Sequence, residues 1–463
     1  MSIQVHNTLS AKKEEFVPLD GKNVSMYVCG VTPYDEVHLG HARAYVTFDI
    51  IRRHLEHAGY RVRYIQNFTD VDDKIIKRSL ERGISPRQLA EQYIGDYFTQ
   101  IDKLSVKRAD AYPRVTENIP AIIAFIEELI KKKYAYAVNG DVYFRVKAFK
   151  EYGKLSKRNI DDLNTVARVE AGEHKKDPLD FALWKAAKPN EPTEVTWDCP
   201  WGKGRPGWHI ECSVMSTNLL GSTIDIHGGG QDLVFPHHEN EIAQSEAHTG
   251  KQFVRYWLHN GFVTINREKM SKSLGNFFTL RDIFEQYSPR VVRYFLVSQH
   301  YRTPLDFSDE KLQAAAATLE GIDTTLRIID EKNIPDTKDV RHTDYLVAFN
   351  AALDDDFNTE KALAVVHSLK SAAMAKVSAQ KSVGAVDLNT EKSELLIMLD
   401  RLGIALPPST VVPEDIQALK AQREQARRDK NWGLSDELRK QIAARGYKVE
   451  DTANGTSTVI KKN

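Results

Sequence analysis

The sequence predicts an α/β protein: a Rossmann-type domain interrupted by an insertion, followed by an α-helical bundle and a small basic C-terminal domain. Three observations predict it. Between Val24 and Asn67 the apolar period switches from that of a strand to that of a helix and back, the signature of a βαβ unit. Beyond Pro304 the apolar spacing becomes helical. Near the end, Pro407-Pro-Ser-Thr-Val-Val-Pro413 reads as a linker before a tail rich in basic residues.

In the βαβ unit, Val24, Met26 and Val28 alternate with other residues, as in a strand. Ala44, Phe48, Ile51, Leu55 and Ala58 follow at steps of four and three, predicting a helix with one buried face. Tyr60 to Asn67 is the second strand. Between first strand and helix lies Cys29-Gly-Val-Thr-Pro-Tyr-Asp-Glu-Val-His-Leu-Gly-His41. A helix start offers unpaired N–H groups and a partial positive charge. A residue as small as Gly40 lets a ligand approach the backbone. With His38 and His41 beside it, this turn suits a triphosphate.

The 463 residues are enough for more than one domain. The 64 basic and 64 acidic residues cancel, so nucleic-acid binding has to come from local patches. No apolar run approaches the roughly 20 residues that cross a bilayer, and Met1 to Pro18 lacks the apolar stretch of a signal peptide. The three cysteines are too few for a disulfide scaffold. A cytoplasmic protein with no membrane partner is expected, whose cysteines serve as ligands or nucleophiles.

Asp70, Asp72 and Asp73 are read as a strand end and the acidic first turn of a helix, in preference to a Mg²⁺ site. Ala121 to Lys133 is an amphipathic helix, and Tyr134 to Arg145 a hairpin turning at Asn139-Gly140. Tyr152 to Pro200 is polar and poorly periodic. Next come a helix from His209 to Leu219, a strand from Thr223 to His227 closed by Gly228-Gly229-Gly230, and a helix from Pro236 to His248. Lys269-Met-Ser-Lys-Ser273 lies on a polar loop, where Lys269 and Lys272 beside hydroxyls suit pyrophosphate and Gly275 supplies a hinge. Helical spacing then places Leu319, Ile322, Leu326 and Ile329, then Leu346, Phe349 and Leu353, then Leu395, Met398, Leu399 and Leu402 in a bundle core. Asp354-Asp-Asp-Phe-Asn358 is read as a helix cap in preference to a metal site. In the tail, Lys420, Arg423, Arg427, Arg428, Lys430, Arg439, Lys440, Arg445 and Lys448 accompany Trp432 and Tyr447. This pattern fits either a solvated helical face or cations and aromatics for RNA.

A metal constellation is also legible. Cys29 ends the first strand and Cys212 follows Trp208, while His237 and Glu241 are four apart and share a helix face. In a doubly wound sheet such positions converge on the crevice, and zinc takes Cys, His and carboxylate ligands. His238 is an alternative to His237 but has Ile242 in place of a carboxylate four residues on. His209 is a lower-ranked rival, and Cys199 is left out because it lies in an irregular loop.

His38-Leu-Gly-His41 resembles the HIGH motif of class I aminoacyl-tRNA synthetases, with Leu for Ile, and residues 269–273 are identical to their KMSKS motif. Cys29-Gly-Val-Thr-Pro-Tyr-Asp35, Pro206-Gly-Trp-His-Ile-Glu-Cys212, Asp225-Ile-His-Gly-Gly-Gly230 and Phe235-Pro-His-His-Glu-Asn-Glu-Ile242 resemble the cysteinyl-tRNA synthetase family, in that family's order. The resemblance runs over nearly the whole chain. It implies that Cys29, Cys212, His237 and Glu241 bind one Zn²⁺, and that Gly30, Thr32, Trp208, His227 and Asp232 form or border the cysteine pocket. It also implies that His38, Gly40, His41, Lys269 and Lys272 bind ATP with Mg²⁺, and that the two histidines and two lysines are catalytic.

The implied reaction is ATP-dependent activation of L-cysteine and its transfer to the 3′ end of tRNA(Cys), by a monomeric ligase. Rivals are a ligase joining cysteine to an amino sugar and a tRNA-binding relative without activity. Lys74-Ile-Ile-Lys-Arg78 matches a family motif linked to a pyridoxal phosphate-dependent persulfide side activity, but is read as a solvated helix. On this resemblance residues 1–120 and 199–250 form the catalytic domain, 121–198 the connective insertion and 251–310 a stem-contact region. Residues 311–406 form the bundle and 407–463 a linker and anticodon-binding domain.

Overall fold

Strands β1 (Asn23–Val31), β2 (Arg61–Phe68), β3 (Ile224–Gly230) and β4 (Val254–Asn260) form a parallel sheet in the order β4-β3-β1-β2. In the computed structural model, residues 2–159, 174–189, 191–265, 268–269, 278–332, 343–379, 387–404, 406, 413–451 and 457–461 are described. The crossover from β1 to β2 is helix α1 (Leu39–His57); α2 (Trp208–Leu220) and α3 (Glu239–Thr249) belong to the second half. β1 lies between its sequence neighbour β2 and the distant β3, with Tyr27 opposite His227. The strand order reverses there, and such sheets bind ligands beyond the strand ends at that point.

Both faces of the sheet are covered. Val24, Met26 and Val28 pack into one core with α1, while Tyr27, Cys29 and Ile65 join a second with Ile210, Val214, Val142 and Phe144. α1 departs from the expected single buried face: Arg43, Asp49 and Arg52 are buried as well as its apolar residues. Of the residues that suggested one face, Ala44 is only half-buried and Ala58 is the exposed cap. The reason lies far along the chain. Arg293, from the helix Pro289–Val297, ion-pairs with Asp49 and donates to the carbonyls of Leu104 and Leu402, each at 2.7 Å. Burial opposes the charge on Asp49, but the Arg293 and Arg53 guanidiniums outweigh it and hold its carboxyl below the usual range.

The insert contains the helix Ile119–Lys131 and the hairpin Ala135–Val138/Asp141–Phe144. Asn139 and Gly140 turn the hairpin at φ 50° and 87°, the left-handed pair that a tight hairpin requires. The stretch read as irregular supplies a third strand, Phe181–Ala186, and Gly204–Pro206 supplies a fourth, so this sheet runs past residue 198. A three-residue strand holding Gly and Pro carries no periodic signal. The helix expected from Pro236 begins irregularly: Val234–His238 is a wide turn with Phe235 extended at φ −141°, and regular helix starts at Glu239. Pro236 has no N–H to give a helix.

The bundle helices are Asp309–Lys332, Asp344–Asp354, Thr359–Ala379 and Asn389–Arg401, and every apolar residue assigned to their core is buried. Both aspartate clusters follow the non-metal reading. Asp72 caps its helix at Lys74 N (2.8 Å), and Asn358 accepts from Lys361 N (2.9 Å). Asp354 meets His54 at 2.9 Å, Asp355 meets Lys361 at 3.1 Å, and Asp356 meets Tyr301 at 2.9 Å and Arg302 at 2.8 Å.

Residues 405–463 form a separate compact unit. Helices Glu414–Arg428 and Trp432–Ala444 and the hairpin Tyr447–Asp451/Ser457–Lys461 enclose Ile416, Ile442, Tyr447, Val449 and Val459. Two residues expected on an RNA-facing surface are therefore internal. Tyr447 is core, and buried Arg423 donates to Asp451 and Ser457, each at 2.6 Å. Trp432 is 58% exposed, with Arg427 at 5.9 Å from its ring centre. Of the linker 407–413, residues 407–412 lie outside the described residues. No helix among the described residues is long and apolar enough to cross a membrane.

Candidate active site

The C-terminal end of β1 brings Cys29 to the crevice, the first turns of α2 bring Cys212, and the turn into α3 brings His237 and Glu241. One ligand atom from each of these four residues lies within 4.8 Å of the others, and all four are buried. Cys29 Sγ is 3.8 Å from Cys212 Sγ and 3.5 Å from Glu241 Oε1, and His237 Nε2 is 3.0 Å from Glu241 Oε1. A tetrahedral zinc with ordinary bond lengths sets such sulfur–sulfur, sulfur–oxygen and nitrogen–oxygen edges at about 3.8, 3.5 and 3.3 Å. The donor set fits the ion in chemistry and in spacing.

Charge is arranged to match. Burial works against the Glu241 carboxylate, but His227 and His237 outweigh it and bring it down to about 2. His237 is opposed by burial and raised to about 10 by the Glu241 charge and Cys212. Burial and its two anionic neighbours, Cys212 and Glu241, push the Cys29 thiol up, whereas the hydrogen bond from Cys29 lowers Cys212.

A second set overlaps the first. Cys29, His227, His238 and Glu241 also offer atoms within 4.8 Å of one another. His238, ranked below His237 from the sequence, places Nε2 at 3.3 Å from Cys29 Sγ; its Nδ1 is 2.8 Å from His259. His227 Nε2 is 2.8 Å from Glu241 Oε2, leaving Oε1 facing Cys29 and His237. The His237 set has the second thiol and is the softer of the two. His209 belongs to neither set and stands behind His237, Nδ1 to Nδ1 at 3.0 Å. Cys199 points to the Gly202 carbonyl at 2.7 Å.

Trp208, 41% exposed, stacks on the His237 ring with centroids 4.3 Å apart. Thr32 is half-buried just past β1, and Asp232 is exposed in the short turn Gln231–Leu233 after β3. Gly30 occupies an irregularity between β1 and β2, where its N–H donates to Asn67 Oδ1 at 2.8 Å. A Cβ at Gly30 would stand 1.5 Å from the Asn67 carbonyl oxygen. Gly30→Ala is therefore expected to cost about 1–3 kcal/mol of stability and to displace the adjacent Cys29. Thermal melting and metal analysis of the variant check both.

At the head of α1, His38 is the N-cap and accepts from His41 N at 3.3 Å, while His38 N donates to His41 Nδ1 at 3.4 Å. The two rings stack with centroids 3.6 Å apart. Leu39 is fully buried beneath this turn, and Gly40 is half-buried in it. The turn is tied to the far side of the lysine loop: Leu280 N donates to Val37 O at 2.8 Å, and His38 pairs with Thr279. Lys269 closes a short strand, Glu268–Lys269; Lys272 and the rest of its motif lie outside the described residues.

Several buried residues around this crevice carry no sequence signal of their own. Thr69 donates to Glu211 Oε2 at 2.9 Å, and burial pushes Glu211 well above the usual carboxylate range. His259 holds His238 and is brought down to about 3, chiefly by burial.

Residues 15–317 match the sequence model of the tRNA synthetases class I (C) catalytic domain. Residues 348–406 match the DALR domain and 410–457 the cysteinyl-tRNA ligase anticodon binding domain. A cysteine–tRNA ligase of Endomicrobium trichonymphae is 57% identical over 472 residues, covering 100% of both chains. One from Geobacillus sp. (strain WCH70) is 50% identical, covering 98% of each. Among solved structures, Mycobacterium tuberculosis methionyl-tRNA synthetase with methionyl-adenylate shares the fold at TM-score 0.56 and 16% identity, over 83% of this chain and 90% of that one. The chain belongs to the cysteine–tRNA ligase family, whose function is charging tRNA(Cys) with cysteine.

Proposed function

We propose that the chain activates L-cysteine with ATP and transfers it to the 3′ end of tRNA(Cys), and that Cys29, Cys212, His237 and Glu241 hold one zinc ion that selects the substrate's sulfur. The observation that carries this is the mutual spacing of four buried soft and anionic donors in a chain of this family. Cysteine and serine have nearly the same shape, so a pocket separates them poorly by size. When bound, zinc supplies a soft Lewis acid that takes a thiolate far better than a hydroxyl.

The chain's own groups do the rest. His227 turns the Glu241 carboxylate, and Trp208 braces the His237 ring. Gly30, Thr32, Trp208, His227 and Asp232 form or border the cysteine pocket. His38, Gly40 and His41 take the ATP phosphates, accompanied by Mg²⁺, and Lys269 and Lys272 take the leaving pyrophosphate. The cysteine carboxylate attacks the α-phosphorus, and pyrophosphate leaves. The terminal ribose hydroxyl of the tRNA then attacks the carbonyl carbon, and AMP leaves. Catalysis rests on positioning and on charge stabilisation.

We assign residues 1–120 and 199–250 to this chemistry, apart from the strand Gly204–Pro206 that completes the sheet of the insertion, 121–198 to the connective insertion, 251–310 to stem contact, 311–406 to the bundle and 407–463 to the anticodon. The working form is a cytoplasmic monomer. A ligase that joins cysteine to an amino sugar would use the same crevice but has no use for an anticodon-binding module, and the match at 410–457 favours tRNA. Cysteine-dependent ATP–pyrophosphate exchange followed by charging of tRNA(Cys) is the test. Both steps are expected; exchange without charging would favour the sugar ligase, and no exchange would overturn the reading.

A further inference from the structure

The five residues from His237 to Glu241 are all buried, yet they face two ways. His237, His238 and Glu241 turn toward the cysteines, whereas Glu239 and Asn240 turn toward the insert. Glu239 is fully buried, and among the described residues no cation pairs with it. Its partners are backbone amides of one turn of the insert: Gly153 N at 3.0 Å on Oε1, and Leu155 N at 3.1 Å and Ser156 N at 2.8 Å on Oε2. Gly153 has φ 96°, which bends this turn so that its N–H groups converge. Tyr152 adds a hydrogen bond of 2.5 Å to Asn240, and Lys154 an ion pair of 2.5 Å to Glu246.

The start of α3 has no cap of its own. His238 stands at the N-cap with no side-chain hydrogen bond to the helix, and the preceding turn is broken by extended Phe235. A helix start without a local cap is located by whatever else holds it. Here that is the insert. We infer that Glu239, held in the amide nest at residues 153–156, is a positioning residue that fixes His237 and Glu241 for the metal, so that the insert sets the geometry of the thiol-selecting site. This rests on the metal reading proposed above.

Partners that orient metal ligands typically change metal affinity about 10–100-fold when removed. Glu239→Gln keeps the volume of the side chain but puts an amide donor against N–H donors. In the full-length protein it is expected to weaken zinc about 10-fold or more in chelator competition, and to shift the visible spectrum of the cobalt-substituted protein. The KM for cysteine is expected to rise with the KM for ATP unchanged. Lys154→Met loosens the same docking surface at Glu246 and is expected to leave zinc affinity within about twofold of the parent, below the range for ligand-orienting partners. Glu239→Asp retains the acceptor and serves where the Gln variant does not fold; it is expected to weaken zinc as well, by less. Parent-like zinc affinity and spectrum in a folded Glu239 variant would overturn the inference. Absence of zinc binding by the parent would instead remove the metal reading beneath it.

Discussion

Replacing Cys212 with serine is expected to remove the bound metal and, with it, the discrimination between cysteine and serine. Cys212 supplies one of two thiols, and its sulfur lies 3.8 Å from that of Cys29. A hydroxyl in its place keeps the volume but loses the soft donor. Cys29, His237 and Glu241 would then hold a cation with one ligand fewer. A site built around one polar partner of its substrate rejects analogues by about 10⁴–10⁵, whereas shape alone gives about 10². The ratio of kcat/KM for cysteine over serine is expected to fall across that interval, mostly through loss of cysteine activation. Metal analysis and pyrophosphate exchange with each amino acid read the two effects. Unchanged zinc content would remove Cys212 from the ligand set.

The convergence of Cys29, His38 and Cys212 was legible in the sequence for a common reason. Each lies at the end of a strand or in the first turns of a helix that the local period predicts. Cys29 ends β1, His38 caps α1 and Cys212 opens α2, so the switch-point rule brings them together without coordinates. The burial of α1 was not legible in the same way. Its second covered face depends on Arg293 and Leu402, more than two hundred residues away. The choice of His237 over His238 rested on the spacing of four to Glu241. Both imidazoles reach the cluster, because positions three and four before Glu241 are both its neighbours on a helix. Nothing in the sequence marks the partners of Glu239; only the fold brings it to an amide nest some eighty residues upstream. In the tail, composition could not separate the exposed Trp432 from the buried Arg423, because their difference lies in the pairing of the last two strands.

Removing residues 408–463 is expected to leave cysteine-dependent exchange within about twofold of the full-length rate while lowering kcat/KM for tRNA(Cys) about 10²-fold, the equivalent of roughly 3 kcal/mol of binding. The physical ground is that residues 405–463 have their own core around Ile416, Ile442, Tyr447, Val449 and Val459. None of the proposed catalytic or metal residues lies there. Steady-state charging of tRNA(Cys) by the shortened protein reads the effect. Undiminished charging would show that the C-terminal unit is not the part that recognises the RNA.

The metal proposed for Cys29, Cys212, His237 and Glu241 is expected to bind the sulfur of the amino acid. Zinc K-edge X-ray absorption on the full-length protein, before and after saturation with L-cysteine, tests it most directly. Two sulfur neighbours are expected without the amino acid and three with it, and serine is expected to add none. A sulfur count that does not change on adding cysteine would contradict the account.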